Sequence, residues 1–147
     1  MMEQFVIFNA ALAWFLAQTV KTVIELFKRR RVSLLAALAG SGGMPSSHTA
    51  FVTALSAAIF DTSGISLVFI LSLALAILTI RDALGVRNTV DKHAHVLNQL
   101  LVAQGTALAA GQQPLPTNTG HQLGDVIGGA AIGLLTVLLV SSAHVLH

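Results

Sequence analysis

No compact water-soluble core can hide residues 65–80. The stretch carries no charge and is apolar on every side of a helix drawn through it, so its natural surroundings are hydrocarbon. Two further stretches are long enough to cross a bilayer. One is residues 5–27, interrupted by Asn9, Gln18, Lys21 and Glu25, and the other is residues 121–145. A fourth apolar stretch, residues 45–60, is short for a full crossing. Its run of Ala50, Ala54, Ser56, Ala57 and Ala58 predicts close packing against neighbouring helices instead of lipid. With 54% hydrophobic and only 10% charged residues, the chain falls far from the composition of a soluble domain. The expectation is one integral membrane domain over residues 1–147: an all-α polytopic helical bundle of about four spans, with short re-entrant or interfacial helices around residues 32–39 and 90–104.

The charged residues set the expected orientation. A net charge of +2 and a pI near 9.7 would suit a nucleic-acid partner, but the basic residues are few and lie beside apolar spans. They read as topology marks and contacts to anionic lipid, and no nucleic acid is expected. Lys28-Arg29-Arg30-Arg31 closes the first span and by the positive-inside rule lies in the cytoplasm. In a multi-pass protein of the cell membrane this puts the amino terminus outside. The loop at Gly42, residues 81–120 and the start of the last helix then fall on the cytoplasmic side, and Asp61, in a tight turn over residues 61–64, on the outer one. Met1-Met2-Glu3-Gln4 lacks the basic region of a secretory signal, so the first apolar segment is expected to be retained. The absence of cysteine excludes disulfides and thiolate chemistry.

On this one side the polar chemistry collects. Gly42-Gly43-Met44-Pro45-Ser46-Ser47-His48 runs straight into an apolar segment. Glycines allow close approach of backbone to a ligand, and Pro45 suits the first turn of a helix. A helix start offers free N–H groups and the positive end of a dipole, and Ser46, Ser47 and His48 add two hydroxyls and an imidazole. Arg81, Asp82 and Arg87 follow the middle span. His121 and Asp125 stand four apart at the start of the last helix, where they would share a face. A carboxylate holding one imidazole nitrogen leaves the other free as nucleophile, and His48 can protonate a leaving oxygen. Arg81, Arg87 and Lys21 supply cations for phosphoryl oxygens. These parts describe phosphoryl transfer. They also admit a metal site on His48, Asp82, His121 and Asp125, which leaves the arginines and serines without a role. A plainer alternative makes Asp125 a carboxylate favoured by the helix dipole and His121 a surface residue. Lys21 and Glu25, also four apart, read as an internal ion pair. Asp91, Lys92, His93, His95, His144 and His147 read as solvated, Trp14 as a packing or interface residue. The last helix carries Gly124, Gly128, Gly129 and Gly133 as a small-residue face.

Together with Asp82-Ala83-x-Gly85-Val86-Arg87, Leu97-Asn98 and Gly120-His121, the Gly42 to His48 run resembles the divergent type 2 phosphatidic acid phosphatase family, related to acid phosphatases and vanadium-dependent haloperoxidases. The similarity covers most of the chain in consistent order. It implies a metal-free and cofactor-free membrane phosphatase built on a helical bundle, acting on a lipid phosphate or pyrophosphate. It further implies His121 as nucleophile oriented by Asp125, His48 as acid, and Ser46 and Ser47, with Gly43, as binders of phosphate. The wider superfamily has an arginine six residues before its nucleophilic histidine, where this chain has Leu115; Arg81 or Arg87 is expected to substitute. Its first motif pairs lysine with arginine seven residues on, and Lys21 with Lys28 has that spacing without the arginine. Ser47 stands where glycine is usual. With fewer spans than related enzymes, a homodimer or larger homo-oligomer is expected to complete the pocket. The alternative is a non-catalytic lipid-phosphate or anion binder, or a transport component.

Overall fold

The computed structural model describes residues 2–28, 43–103, 114–117 and 120–145. The basic run after Lys28, residues 32–39, Gly42, the capping role expected of Thr119, and His147 lie outside them. Every regular element among the described residues is α-helix: α1 (Met2–Lys28), α2 (Ser47–Ser63), α3 (Leu67–Leu84), α4 (Val86–Ala103) and α5 (Leu123–Val145). Three runs are long and apolar enough to cross a membrane, namely Met2–Phe27, Leu67–Ala103 and Leu123–Ala143. The middle run contains two helices divided at Gly85, of which α3 is the apolar one. The protein is a helical membrane bundle.

The helix α2 sits at its centre and packs against α1, α3 and α5. At 17 residues it is about 25 Å long, less than the hydrocarbon thickness of about 30 Å. It is shielded by its neighbours: Ala50, Ala54 and Ala58 are fully buried and form the core with Ala13 and Ala17 of α1 and Val137 of α5. Small side chains let backbones approach, and dispersion between close-packed helices replaces the hydrophobic drive that lipid cannot supply. The large side chains, among them Leu67, Val68, Ile70 and Leu71 of α3, face outward.

Both ends of α2 differ from the sequence expectation. Pro45 lies before the helix, after a cis Met44–Pro45 bond, because Ser46 is the N-cap: it has extended backbone, and its hydroxyl accepts from the N–H of Thr49 at 3.3 Å. Asp61, Thr62 and Ser63 belong to the last turn of α2 and not to a tight turn. Gly64, at φ 59°, ends the helix with its N–H donating to the Phe60 carbonyl. At this same end Ser141 donates to Asp61 Oδ2 at 2.6 Å, tying α5 to α2.

Half of the predicted glycine face makes the closest contact. A Cβ on Gly133 would lie 2.6 Å from the Ala50 carbonyl oxygen, and one on Gly129 would overlap the Ser46 carbonyl. Gly128 rests on Pro45 and Met44, whereas a side chain on Gly124 would stand in open space. Gly129→Val and Gly133→Val are therefore expected to force α5 off α2 and to destabilise the bundle by about 1–3 kcal/mol or more. Gly124→Ala is expected to hold or raise stability. Thermal unfolding of the detergent-solubilised protein, followed by size-exclusion chromatography, measures both.

Candidate active site

The site is built where the starts of α2 and α5 meet the end of α3. The Ser46 N–H donates to the Asp125 carbonyl at 2.9 Å, so the two helix starts are tied through their backbones. The Ser46 hydroxyl, fully buried, also accepts from Thr49 Oγ1 at 2.9 Å. Ser46 thus caps α2, and Ser47 is buried beside it at the first helical position. Next comes His48, exposed at the mouth. Gly43 arches over this helix start at φ 104°, a conformation that favours glycine, and a Cβ there would meet Glu25 Oε1 at 3.3 Å and Lys21 Cε at 3.6 Å. Below it Lys21 is only 2% exposed, and the carboxylates of Glu25 and Asp125 act on its charge.

His121 does not begin the last helix. The helix starts at Leu123, and His121 lies in the extended segment before it, its N–H donating to the Ala83 carbonyl at the end of α3 (3.2 Å). The expected shared face with Asp125 is consequently absent. Asp125 instead reaches back from the third helical position, and its Oδ2 accepts from the Gln122 N–H at 2.8 Å, one half of a capping box. His121 is 2% exposed, and among the described residues neither ring nitrogen has a hydrogen-bond partner. A buried imidazole in this state lacks partners for both its donor and its acceptor, each omission costing about 1–3 kcal/mol. Burial pushes its pKa below the ordinary value of 6.5; Asp125 acts the other way, and the positive charges of Lys21, Arg87 and His48 add to the lowering. The neutral ring is thereby favoured, and neutral imidazole is the nucleophilic form.

Arg87 acts electrostatically on both His48 and His121, as does Lys21, so the two cations and the two imidazoles gather around one hollow. Its Nε donates to Asp82 Oδ2 at 2.7 Å, which leaves the remaining guanidinium N–H groups to other acceptors. Arg81, by contrast, is exposed near the end of α3. Asp82 is accounted for by the ion pair, and among the described residues no three His, Asp or Glu side chains converge as metal ligands.

The sequence reading missed how His121 is carried into place. Asn98 on α4 clasps Leu115 at both backbone groups, accepting from its N–H and donating to its carbonyl, each at 3.0 Å. Asp91 Oδ2 accepts from the Gly120 N–H at 2.7 Å. A Cβ on Gly120 would lie 2.7 Å from Asn88 Cα, so only glycine lets the chain pass there. Asp91, read from sequence as solvated, and Asn98 are positioning residues whose role only their partners reveal. Leu115 is exposed and held by its backbone.

This arrangement defines a class: a helical integral membrane protein with a basic, histidine-containing hollow at the ends of its central helices. The chain belongs to the Divergent PAP2 family, whose profile matches residues 2–136. It is 31% identical over 153 aligned positions to the "Uncharacterized membrane protein YuiD" of Bacillus subtilis (strain 168), covering 96% of each chain. No solved structure matches it.

Because the folded protein holds His121 below its ordinary pKa while the unfolded chain titrates near 6.5, the unfolded state binds more protons as the medium is acidified. The contribution of His121 is fully present above pH 6.5 and is lost as pH falls towards the lowered native value. Melting temperature in detergent is expected to drop between pH 7.5 and 5.5, and the drop to be smaller in His121→Gln. Equal slopes would show that the ring is not buried. Ser46→Ala should cost about 1 kcal/mol at all pH values, as expected for a lost cap.

Proposed function

We propose that the protein is a metal-independent phosphatase acting on a lipid phosphate through a phosphohistidine. The observation that carries this reading is the buried His121, whose ring nitrogens have no hydrogen-bond partner among the described residues, within electrostatic reach of the same Lys21 and Arg87 that act on His48. A ring nitrogen of His121 attacks phosphorus, the P–O bond to the leaving group breaks, and the electron pair goes to that oxygen, which takes a proton from His48. Water then attacks the phosphohistidine, giving up a proton to His48. The N–P bond breaks with its pair returning to His121, and inorganic phosphate leaves. Arg87, Lys21 and the N–H groups at the start of α2 hold the equatorial oxygens in a site of low dielectric. Asp125 favours the imidazolium-like charge that develops on His121. Arg87 takes the part of the superfamily's third-motif arginine, since it reaches the hollow and Leu115 does not.

The second reading, a lipid-phosphate binder without turnover, is favoured by one observation: the Asp125 to His121 hydrogen bond is not made.

Phosphate release from a panel of lipid phosphates separates the two. We expect activity that survives EDTA, falls with vanadate and disappears in His121→Ala. His48→Ala should lose about a hundredfold to ten-thousandfold in kcat, and Arg87→Ala about a hundredfold to a thousandfold. Phosphate binding without release would establish the binder, and loss on chelation with recovery on added metal would overturn both readings. With the basic run after α1 in the cytoplasm, the hollow faces inward and the amino terminus outward. The sequence has no cysteine, so single cysteines report this directly: in intact cells Ser63→Cys is expected to react with an impermeant maleimide and Leu115→Cys to be protected. The opposite pattern would invert the topology.

A further inference from the structure

Helix α3 has 18 residues, so it is about 27 Å long, close to the hydrocarbon thickness of about 30 Å. Its end, marked by Arg81 and Asp82, therefore falls at the membrane edge. There the helix breaks. Gly85, at φ −98° and ψ −83°, leaves helical geometry, and the Ala83 carbonyl accepts from the His121 N–H at 3.2 Å. Beyond the break, among the described helices, α4 packs appreciably on α3 alone. One side of α4 is taken by the segment before α5: Asp91 receives the Gly120 N–H, and Asn98 holds Leu115 at both backbone groups. Beside these residues runs an apolar stripe of Val86, Val90, Leu97 and Leu100, whose spacing puts them on one face. They are between 49% and 63% exposed, so no described residue covers them. Away from the stripe stand Lys92, His95 and Gln99, all exposed. Asp91, the one carboxylate of α4, is engaged by Gly120, so the charge that α4 turns outward is basic.

We propose that α4 docks on the interfacial layer of the bilayer, and that this lipid contact steadies the segment that carries His121. The stripe rests on the boundary of the acyl chains, and Lys92 lies among anionic headgroups. Three observations select lipid as the occupant. The stripe begins at the membrane edge, where α3 already turns its large side chains to hydrocarbon. The outward charge of α4 is opposite in sign to that of anionic headgroups. A second copy of the chain fits poorly: a helix of 18 residues offers one face of about 300 Å2, short of the roughly 800 Å2 that each partner gives to a stable dimer. The link to His121 follows from the bonding. Leu115 and Gly120 are tied to α4, and α4 has no second helix beneath it, so the bilayer is the remaining support for both. The proposal holds whether the hollow turns phosphate over or only binds it.

Because the chain has no cysteine, Val90→Cys, Leu97→Cys, Lys92→Cys and Gln99→Cys each accept a single environment-sensitive fluorophore. In vesicles of phosphatidylcholine and phosphatidylglycerol, labels replacing Val90 and Leu97 are expected to emit at shorter wavelength and to be quenched by lipid brominated near its headgroup. Labels replacing Lys92 and Gln99 are expected to do neither. Val86→Cys and Leu100→Cys repeat the measurement on the same stripe. Unshifted emission at every position would put α4 in water, and a shift that brominated lipid leaves unquenched would put protein on the stripe; either result overturns the docking. The link to His121 is read in the same vesicles by hydrogen exchange of the Leu115 and Gly120 amides. Val90→Ser combined with Leu97→Ser is expected to speed both by about tenfold or more while the amides of α2 stay protected, and Lys92→Gln to change them by less than about twofold. Unchanged exchange in the stripe variant, or equal speeding throughout α2, would overturn the link.

Discussion

Everything at the polar end of this protein depends on how closely α5 crosses the beginning of α2. Gly129 lies against the Ser46 carbonyl and Gly133 against that of Ala50, distances that no side chain permits. The approach lets the Ser46 N–H reach the Asp125 carbonyl. Two helix starts, each with free N–H groups and the positive end of a dipole, are thus pressed together at one edge of the bundle. In lipid, where apolar burial gives no preference for one helix partner over another, backbone proximity of this kind selects the arrangement.

The charges of the hollow follow from that crossing. A nearly buried lysine is costly unless carboxylates answer it, and Glu25 and Asp125 act on Lys21 from two helices. Asp82 holds Arg87 by its Nε. The two imidazoles are treated differently. His121 is enclosed and without a hydrogen-bond partner among the described residues, whereas His48 is exposed and lines an apolar cleft between α1, α2 and α3. In the proposed reaction the same kind of side chain serves two ends of one displacement, one facing phosphorus and the other the departing group.

Much of what resembles a functional motif in this chain is scaffolding for that hollow. Asn98 pairs with both backbone groups of Leu115, Asp91 receives the N–H of Gly120, and Ala83 receives that of His121. These bonds stitch the segment before α5 along α4 and onto the end of α3. Gly120 is required where the segment passes over Asn88. Ser46, which the family resemblance offers as a phosphate binder, also caps α2, and Ser47 is buried beside it. Residues that look chemical in a string of letters are in part structural, because a cap and an anion site use the same donors and acceptors.

The sequence by itself determined the membrane, the helical class, the alanine-rich central helix, and the set of polar residues left over once the apolar spans were removed. Those follow from local hydrophobicity and helical period, which each segment carries alone. Tertiary structure decided the rest. Helix α5 starts at Leu123 and not at His121, so Asp125 turns to Gln122 and leaves the imidazole unpartnered. Arg87 pairs with Asp82 and acts on both imidazoles while Arg81, six residues earlier, is exposed, and Gly133 meets a carbonyl while Gly124 meets nothing. In each case the deciding atom belongs to a segment far away in the chain. Spacing along one helix states which residues share a face; only the packing of helices states what that face touches.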